Sequence, residues 1–259
     1  MSRSFEFDIQ AFDCRIRVQA ASQELCDILN RYIFPSLPRV HSAAPADIAI
    51  SAVQTAENFE ISINNRKVAV YPDPVSFVRA SIKALDDAIV ERLTSLRAVH
   101  SGAVLFGNTA LLLPGSTHAG KSSLVAELLR RGATYLSDEY ALIDSIGYIH
   151  AYPRPLLLRN GRPEQIPVLP DELNASFADG PAQATWIISL EYRPECSWDV
   201  KSVPQGEGVM ILLRNTPHAL EESPRMLDMF LRAIAGASCY SGTRGDAKDA
   251  AEHILKLVG

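Results

Sequence analysis

The stretch VHSGAVLFGNTALLLPGSTHAGKSSLVAELLRRGATYLSDEYALID, from Val99 to Asp144, decides the fold of this chain. At its centre, residues 115–122 read GSTHAGKS, which fits the phosphate-binding pattern G-x-x-x-x-G-K-[ST]. Glycines at the two fixed positions let the backbone bend so that its N–H groups surround an anion. Lys121 adds a point charge for the β- and γ-phosphates, and the Ser122 hydroxyl can bind Mg²⁺. The pattern therefore predicts a loop that binds a nucleoside triphosphate with Mg²⁺.

The segments on either side of this loop support the prediction. Ala110–Leu113 is a short apolar run that predicts a buried strand, and Ser123–Arg131 places its apolar residues at helical spacing. Gly132 then ends the helix. Strand, loop and helix follow one another in the order that an anion site at a helix N-terminus requires, although a glycine-rich turn before an ordinary helix is the alternative. The residues predicted to contact the nucleotide are Gly115, Ser116, Thr117, His118, Ala119, Gly120, Lys121, Ser122 and Ser123.

A second apolar run, Gly102–Phe106, precedes the loop strand, and only Gly107-Asn108 separates the two runs. Two turn residues of this kind between apolar runs are typical of a tight hairpin. Common nucleotide-binding folds instead lead into the loop from a parallel sheet with helical crossovers. We therefore expect the loop strand to be the second arm of an antiparallel hairpin.

His100, this hairpin, the glycine loop, the helix ending at Arg131-Gly132 and the sequence Ser137-Asp138-Glu139 together resemble the catalytic domain of the bacterial HPr kinase/phosphorylase family. The resemblance is closer to the shorter HPr-kinase-related proteins of bacterial biosynthetic clusters, some of which phosphorylate a serine of a ribosomally made peptide precursor. It covers residues 99–144, extends weakly toward the C-terminus and does not reach the N-terminal region. It implies an α/β fold with an HPr-kinase/carboxykinase-like P-loop core and a mixed sheet.

The resemblance also implies roles for individual residues. Asp138 is expected to be the catalytic base that takes the proton of an attacking hydroxyl, and Glu139 a carboxylate beside the metal. The family has two adjacent acidic residues here, and glutamate in place of aspartate at the second position leaves the direct metal contact open. His100 is expected beside the active site, together with Lys121 on the phosphates and Ser122 on Mg²⁺. A polar turn at residues 137–139 and a hydrogen-bonded histidine at a strand end are the alternatives.

Several other charged residues lie near this stretch. Asp144 closes a run that imitates a Walker B strand, but Ser145–His150 reads as a hairpin return, so we interpret Asp144 as a turn aspartate. Arg154 and Arg159 belong to a proline-rich extended segment, where either could meet a phosphate or an acidic substrate group. Arg244 could reach the nucleotide. The glutamate-containing Mg²⁺ motif of full-length HPr kinases has no clear match, so the resemblance does not extend to phosphorylase activity.

The rest of the chain divides into three predicted parts. Residues 1–72 are predicted to form a small α+β module, because strands of alternating polarity surround one amphipathic helix that Ser22 caps. Residues 73–98 form a connecting segment with a helix predicted from Val75 to Leu96, and residues 99–259 form the P-loop kinase-like domain. Within that domain we predict a turn at Gly206-Glu207-Gly208 and a helix over Glu221–Ala235.

Composition excludes some classes of function. The chain has 259 residues and a formal charge of −5, which gives no support for nucleic-acid binding. The cysteines are scattered and are typical of reduced thiols in a cytosolic protein. The polar, alternating start does not resemble a signal peptide, and no apolar run approaches the ~20 residues of a membrane span. We therefore expect a cytoplasmic protein that contacts neither nucleic acid nor membrane.

These observations lead to one expected function and two alternatives. We expect an ATP- and Mg²⁺-dependent kinase that transfers the γ-phosphoryl group to a serine or threonine hydroxyl of a peptide or small protein. A small-molecule kinase would use the same site, and a non-catalytic ATP-binding regulatory protein would keep only the binding role of Lys121. A GTPase is disfavoured, because no N-K-x-D motif is present. HPr kinases assemble as hexamers, so the resemblance also implies a homo-oligomer.

Overall fold

The computed structural model describes residues 5–41, 44–217 and 223–258, which form two compact units. The first unit holds the residues up to Thr94 together with Pro153–Leu169, and the second holds Ser95–Tyr152 and the chain from Pro170 onward. Each unit contains a mixed sheet and helices, so the fold is mixed α/β. None of the described helices is long and apolar enough to cross a membrane.

The first unit is built on a six-stranded sheet with strand order β3-β1-β2-β4-β5-β6. Alternate residues of its central strands are fully buried, as the sequence pattern predicts, and most neighbouring strands are antiparallel. Its first eight elements are β1 (Phe5–Ala11), β2 (Cys14–Ala20), α1 (Gln23–Tyr32), β3 (Arg39–Val40), β4 (Ile48–Gln54), β5 (Phe59–Ile63), β6 (Arg66–Tyr71) and α2 (Pro74–Val90).

Caps fix both helices of this unit. The Ser22 hydroxyl accepts the Leu25 N–H at the start of α1, which confirms the predicted cap. The Asp73 carboxylate accepts two N–H groups at the start of α2 and holds it at Pro74. The predicted extension of α2 to Leu96 is wrong, because Leu96 is the first residue of the next strand.

The second unit begins at Ser95 and holds the glycine loop. Its elements are β7 (Leu96–Phe106), β8 (Thr109–Pro114), α3 (Lys121–Leu129), β9 (Thr134–Ser137), β10 (Tyr140–Asp144) and β11 (Ile149–His150). Strands β7 and β8 are antiparallel, and Phe106 pairs with Thr109 across the two turn residues. Gly107 has φ +58°, which a glycine adopts without strain. The predicted hairpin is confirmed, and it delivers the chain into the glycine loop, residues 115–122.

The chain then returns to the first unit through β12 (Leu156–Leu158) and β13 (Ile166–Val168), which form a two-stranded sheet. Arg154 is only 2% exposed and its guanidinium lies 3.0 Å from a carboxylate oxygen of Asp86 on α2. Both residues belong to the first unit. The Arg154 guanidinium therefore forms a buried ion pair within that unit. This division also differs from the predicted one, in which residues 153–169 belonged to the kinase-like domain.

The remaining elements complete the second unit. They are a 3₁₀ turn (Pro170–Leu173), β14 (Gln183–Tyr192), β15 (Asp199–Val203), α4 (Gln205–Arg214), α5 (Ser223–Ala233), β16 (Ser238–Arg244) and α6 (Ala247–Val258). Its eight-stranded sheet has the order β11-β10-β7-β8-β14-β16-β15, with β9 paired to β7. Strand β14 lies between β8 and β16 and is parallel to both. The first two residues of the helix predicted from position 221 lie outside the described residues.

The predicted turn at residues 206–208 is wrong, because these residues form the first turns of α4. Two glycines disfavour a helix in isolation. Here Gly208 is buried, and a Cβ on it would collide with the sulfur of Cys239 on β16. The glycine therefore allows α4 to lie close against the sheet, and tertiary packing overrides the local preference.

Candidate functional site

The glycine loop connects β8 to α3 with its backbone N–H groups available. His118 and Gly120 adopt φ values of +70° and +73°, which bend the loop sharply before the helix. Among the described residues, none accepts a hydrogen bond from the N–H groups of Thr117, His118 or Gly120. These donors and the N-terminal end of α3 together form the type of cradle that binds phosphate oxygens.

Arg244 at the end of β16 holds the loop in this shape. Its guanidinium is 2% exposed and donates to the carbonyl oxygens of Ala119 at 3.1 Å and Gly120 at 2.9 Å. A Cβ at position 120 would collide with the same guanidinium, so the loop and the arginine fit only with glycine there. Burial lowers the pKa of Arg244. The contact that the structure shows for Arg244 is with the loop backbone, and the expected contact with a nucleotide stays a prediction.

Lys121, His100 and Glu139 form a continuous polar group next to the loop. The Lys121 ammonium donates to the carbonyls of Gly115 at 2.9 Å and Ser116 at 3.0 Å, and it lies 3.2 Å from His100 Nε2. The same Nε2 lies 3.1 Å from Oε1 of Glu139. A single ring nitrogen either donates to the carboxylate or accepts from the ammonium, and cannot do both. Movement of the Lys121 ammonium toward a phosphate therefore leaves Nε2 to donate to Glu139.

Sheet pairing brings these three residues together. Tyr140 on β10 pairs with His100 on β7, and the Ser101 N–H donates to the Glu139 carbonyl at 3.0 Å. The His100 N–H donates to the carbonyl of Asn215, just after α4, at 2.7 Å. The end of α4 is therefore attached to the strand that carries the histidine.

The two adjacent carboxylates have different surroundings. Asp138 is fully buried and accepts a hydrogen bond from the Tyr135 hydroxyl at 2.9 Å. The Glu139 side chain is 31% exposed and lies in an open cleft beside His100. Glu139, and not Asp138, is therefore the carboxylate that the cleft exposes. The sequence analysis expected Asp138 to be the base and Glu139 to lie beside the metal.

Two clefts adjoin the loop tip and share Ser116 and Thr117. The first, which we call the strand-end cleft, has a volume of about 570 Å³ and is lined by residues 115–119, 189–192, 214–215 and 241–243. The second, the histidine cleft, has a volume of about 430 Å³ and is lined by His100, residues 116–117, 139–140 and 214–217. Both volumes fall within the ~300–1,000 Å³ of small-molecule sites.

Arg214 is the functional candidate that sequence reasoning missed. It lines both clefts from the last turn of α4, and its guanidinium makes no hydrogen bond or ion pair with any residue in the described part of the chain. No sequence pattern pointed to it, because residues 206–208 were predicted as a turn and the helix that ends at Arg214 was not predicted. Arg154 and Arg159 do not line either cleft.

Asp144 does not belong to the site. Its carboxylate accepts the N–H groups of Ile146 and Tyr148 and lies 2.8 Å from His150 Nε2. Burial opposes ionisation of Asp144, but these hydrogen bonds outweigh it and lower its pKa. The interpretation of Asp144 as a turn aspartate is confirmed.

The residues present fit a Mg²⁺ ion that is held mainly by phosphates and water. In the described ranges, no three His, Cys, Asp or Glu side chains cluster in a way that could hold a metal alone. Mg²⁺ beside a nucleotide needs only one or two protein oxygens. The Ser122 hydroxyl, half-buried on the first turn of α3, is such an oxygen. Ser123 next to it is exposed.

Comparisons with known proteins add little to this geometry. No protein-family model matches the chain. No curated protein matches it. Among solved structures, the chain is similar to the Hpr(Ser) kinase/phosphatase from Coxiella burnetii, with 17% sequence identity and a TM-score of 0.31 over 63% of this chain and 99% of that one. A likeness this low carries no functional inference.

Proposed function

We propose that the protein is an ATP- and Mg²⁺-dependent kinase with a P-loop core, which transfers the γ-phosphoryl group to a serine or threonine hydroxyl of a peptide or small protein. One observation carries the proposal. A lysine on a loop with available N–H groups lies 3.2 Å from a histidine that in turn lies 3.1 Å from a cleft-facing glutamate. Phosphoryl transfer needs a phosphate-binding cation and a group that accepts the proton of the hydroxyl, side by side.

Phosphate binding is assigned to the glycine loop. The N–H groups of Thr117, His118 and Gly120 bind phosphate oxygens, and the Lys121 ammonium exchanges its loop carbonyls for the β- and γ-phosphates. The Ser122 hydroxyl would hold Mg²⁺, and the ion would supply positive charge for the same phosphates. Arg244 keeps the loop bent, so the donors are arranged before the nucleotide arrives.

Glu139 is assigned as the catalytic base, in place of Asp138. The substrate hydroxyl gives its proton to the Glu139 carboxylate while its oxygen bonds to the γ-phosphorus, and the bond from that phosphorus to the β,γ-bridging oxygen breaks to release ADP. His100 donates from Nε2 to Glu139 once Lys121 has turned to the phosphates, and so orients the carboxylate. Asp138, buried against Tyr135, supports the turn that presents Glu139.

Arg214 supplies positive charge where the two clefts meet. Because it lines both and has no partner among the described residues, its guanidinium can follow the phosphoryl group from nucleotide to acceptor. A flexible cation of this kind stabilises the charge on the transferred group. The open histidine cleft beside it suits a hydroxyl that a peptide chain delivers. Its volume of about 430 Å³ also suits a small metabolite, so a small-molecule kinase is the second candidate.

The test is transfer of label from γ-labelled ATP in the presence of Mg²⁺. Acceptors are a library of serine- and threonine-containing peptides and a pool of small hydroxylated metabolites. Lys121→Ala should abolish transfer, while Lys201→Ala, which removes an 82% exposed lysine from the same unit, should not. Label on a metabolite alone would select the second candidate. ATP binding without any label transfer would leave only a regulatory nucleotide-binding role.

A further inference from the structure

The strand-end cleft lies where three parallel strands finish. Strand β8 leads into the glycine loop, and β14 pairs in parallel with β8 on one side and with β16 on the other. Residues 189–192 and 241–243, near the ends of β14 and β16, line the cleft together with the loop. Ligands of α/β sheets bind in the crevice outside the carboxyl ends of such strands. The cleft therefore continues the phosphate site along the edge of the sheet.

Two free hydroxyl groups line this cleft. Ser189 and Ser241 are direct neighbours in the parallel register, so their side chains share one face of the sheet, while Tyr192, three positions after Ser189, belongs to the opposite face. Residues of both faces line the cleft because it lies at the ends of these strands. Both are half-buried, and neither hydroxyl makes a hydrogen bond to another residue within the described parts of the chain. A hydroxyl both donates and accepts, so this pair can bind ribose hydroxyls or the polar edge of a base.

Tyr192 adds an aromatic surface. It lines the cleft at the end of β14 and remains 45% exposed. The Arg244 guanidinium carbon lies over its ring, 5.2 Å from the centroid. The same guanidinium donates to the loop carbonyls of Ala119 and Gly120. The ring is therefore held by the group that holds the phosphate-binding loop.

We propose that the strand-end cleft binds the nucleoside part of the triphosphate, with the base stacked on Tyr192 and polar groups of the nucleoside bound by Ser189 and Ser241. The inference rests on the proposed function, since the phosphates must lie on the adjacent loop. The volume of about 570 Å³ is sufficient for a nucleoside. Stacking on an aromatic face tolerates different bases, so the platform favours a nucleotide over bare phosphate whatever its base.

The experiment compares the binding of Mg·ATP and of Mg·tripolyphosphate, which lacks the nucleoside, by calorimetry. Wild type should bind ATP more tightly. Tyr192→Ala should weaken ATP binding about tenfold, as loss of one base-stacking contact does, and change tripolyphosphate binding by less than about twofold. Tyr192→Phe should retain ATP binding, because it keeps the ring. Tyr148→Ala, on the β10–β11 turn, is the matched control and should change neither.

The outcomes separate the inference from the proposed function. If wild type binds tripolyphosphate as tightly as ATP and still transfers label, the subsite is overturned and the kinase stands. If Tyr192→Ala weakens both ligands equally, Tyr192 acts only through Arg244 and the loop, which also overturns the subsite. If wild type binds neither ligand, the proposed function fails and the subsite with it.

Discussion

Replacement of Arg244 by methionine tests how the glycine loop is held. Methionine keeps much of the apolar volume and removes the donors to the carbonyls of Ala119, Gly120 and Gly245, at 3.1, 2.9 and 2.8 Å. The Gly120 carbonyl keeps a hydrogen bond from the Leu124 N–H at 3.2 Å. The carbonyls of Ala119 and Gly245 lose the guanidinium and accept no other hydrogen bond from a described residue. The loop should therefore lose its bent conformation in the free protein.

The magnitude follows from these contacts. A hydrogen bond to a charged group contributes about 1.5–3 kcal/mol, so two unreplaced bonds cost about 3–6 kcal/mol. The cost is reduced because Arg244 is itself buried and its Nε has no partner among the described groups. We expect a net loss of about 3 kcal/mol in the free energy of unfolding and, because the loop must be re-formed on binding, an ATP affinity at least about tenfold lower.

Urea denaturation measures the first quantity and calorimetric titration with Mg·ATP the second. Arg193→Met is the matched control, because Arg193 is 58% exposed and pairs only with the equally exposed Glu191 among the described residues, so its loss should cost less than about 0.5 kcal/mol. Arg244→Lys should be intermediate, since one ammonium cannot reproduce the planar guanidinium. An Arg244→Met protein with the stability and ATP affinity of wild type would refute the reasoning.

Three further predictions concern charged groups. Arg214→Ala should lower the transfer rate by about 10²-fold or more, while ATP affinity falls less. Single-turnover kinetics at several ATP concentrations would measure both quantities, and equal losses of rate and affinity would assign Arg214 to ground-state binding. The hydrogen bond from Arg17 lowers the pKa of Asp8, so ionised Asp8 stabilises the fold above its unfolded value of 3.8 and this contribution disappears as pH falls through the folded pKa. Asp8→Asn should therefore cost about 1–3 kcal/mol near neutral pH and converge with wild type in acid; a constant difference in urea titrations across pH would contradict this. Arg154→Met should cost about 3–5 kcal/mol because it breaks the buried ion pair with Asp86, yet it should leave label transfer intact in folded protein; a specific loss of transfer would return Arg154 to the site.

The parts of the fold that the sequence predicted are those that local interactions decide. The Gly107-Asn108 hairpin, the Ser22 cap and the strand, loop and helix around Lys121 each depend on a few adjacent residues. The expected place of His100 beside the active site came only from the family resemblance, and its approach to Glu139, which was not predicted, depends on the pairing of β7 with β10. Sequence pattern alone gives no reason for that pairing.

The parts that the sequence did not predict depend on distant contacts. Helix α4 holds a glycine at position 208 because that residue packs against Cys239, about 30 positions later in the chain. Without that helix, Arg214 has no predicted place. Tyr192 reaches the loop only through the parallel pairing of β14 with β8 and β16. Asp138 is buried and Glu139 is partly exposed, and this difference arises from the surrounding strands. Two adjacent acidic residues carry no local pattern from which it could be predicted.

The most direct test of the account is single-turnover transfer of the γ-phosphoryl group at saturating ATP, compared for wild type, Glu139→Gln and Asp138→Asn. Glu139→Gln should keep ATP affinity and lower the transfer rate by about 10²–10⁴-fold, as loss of a general base does. Asp138→Asn should lower the rate by less than about tenfold, because Asp138 acts through the turn that presents Glu139. Loss of transfer in Asp138→Asn with near-normal transfer in Glu139→Gln would contradict the assignment, and absence of transfer by the wild-type protein to every acceptor would contradict the kinase itself.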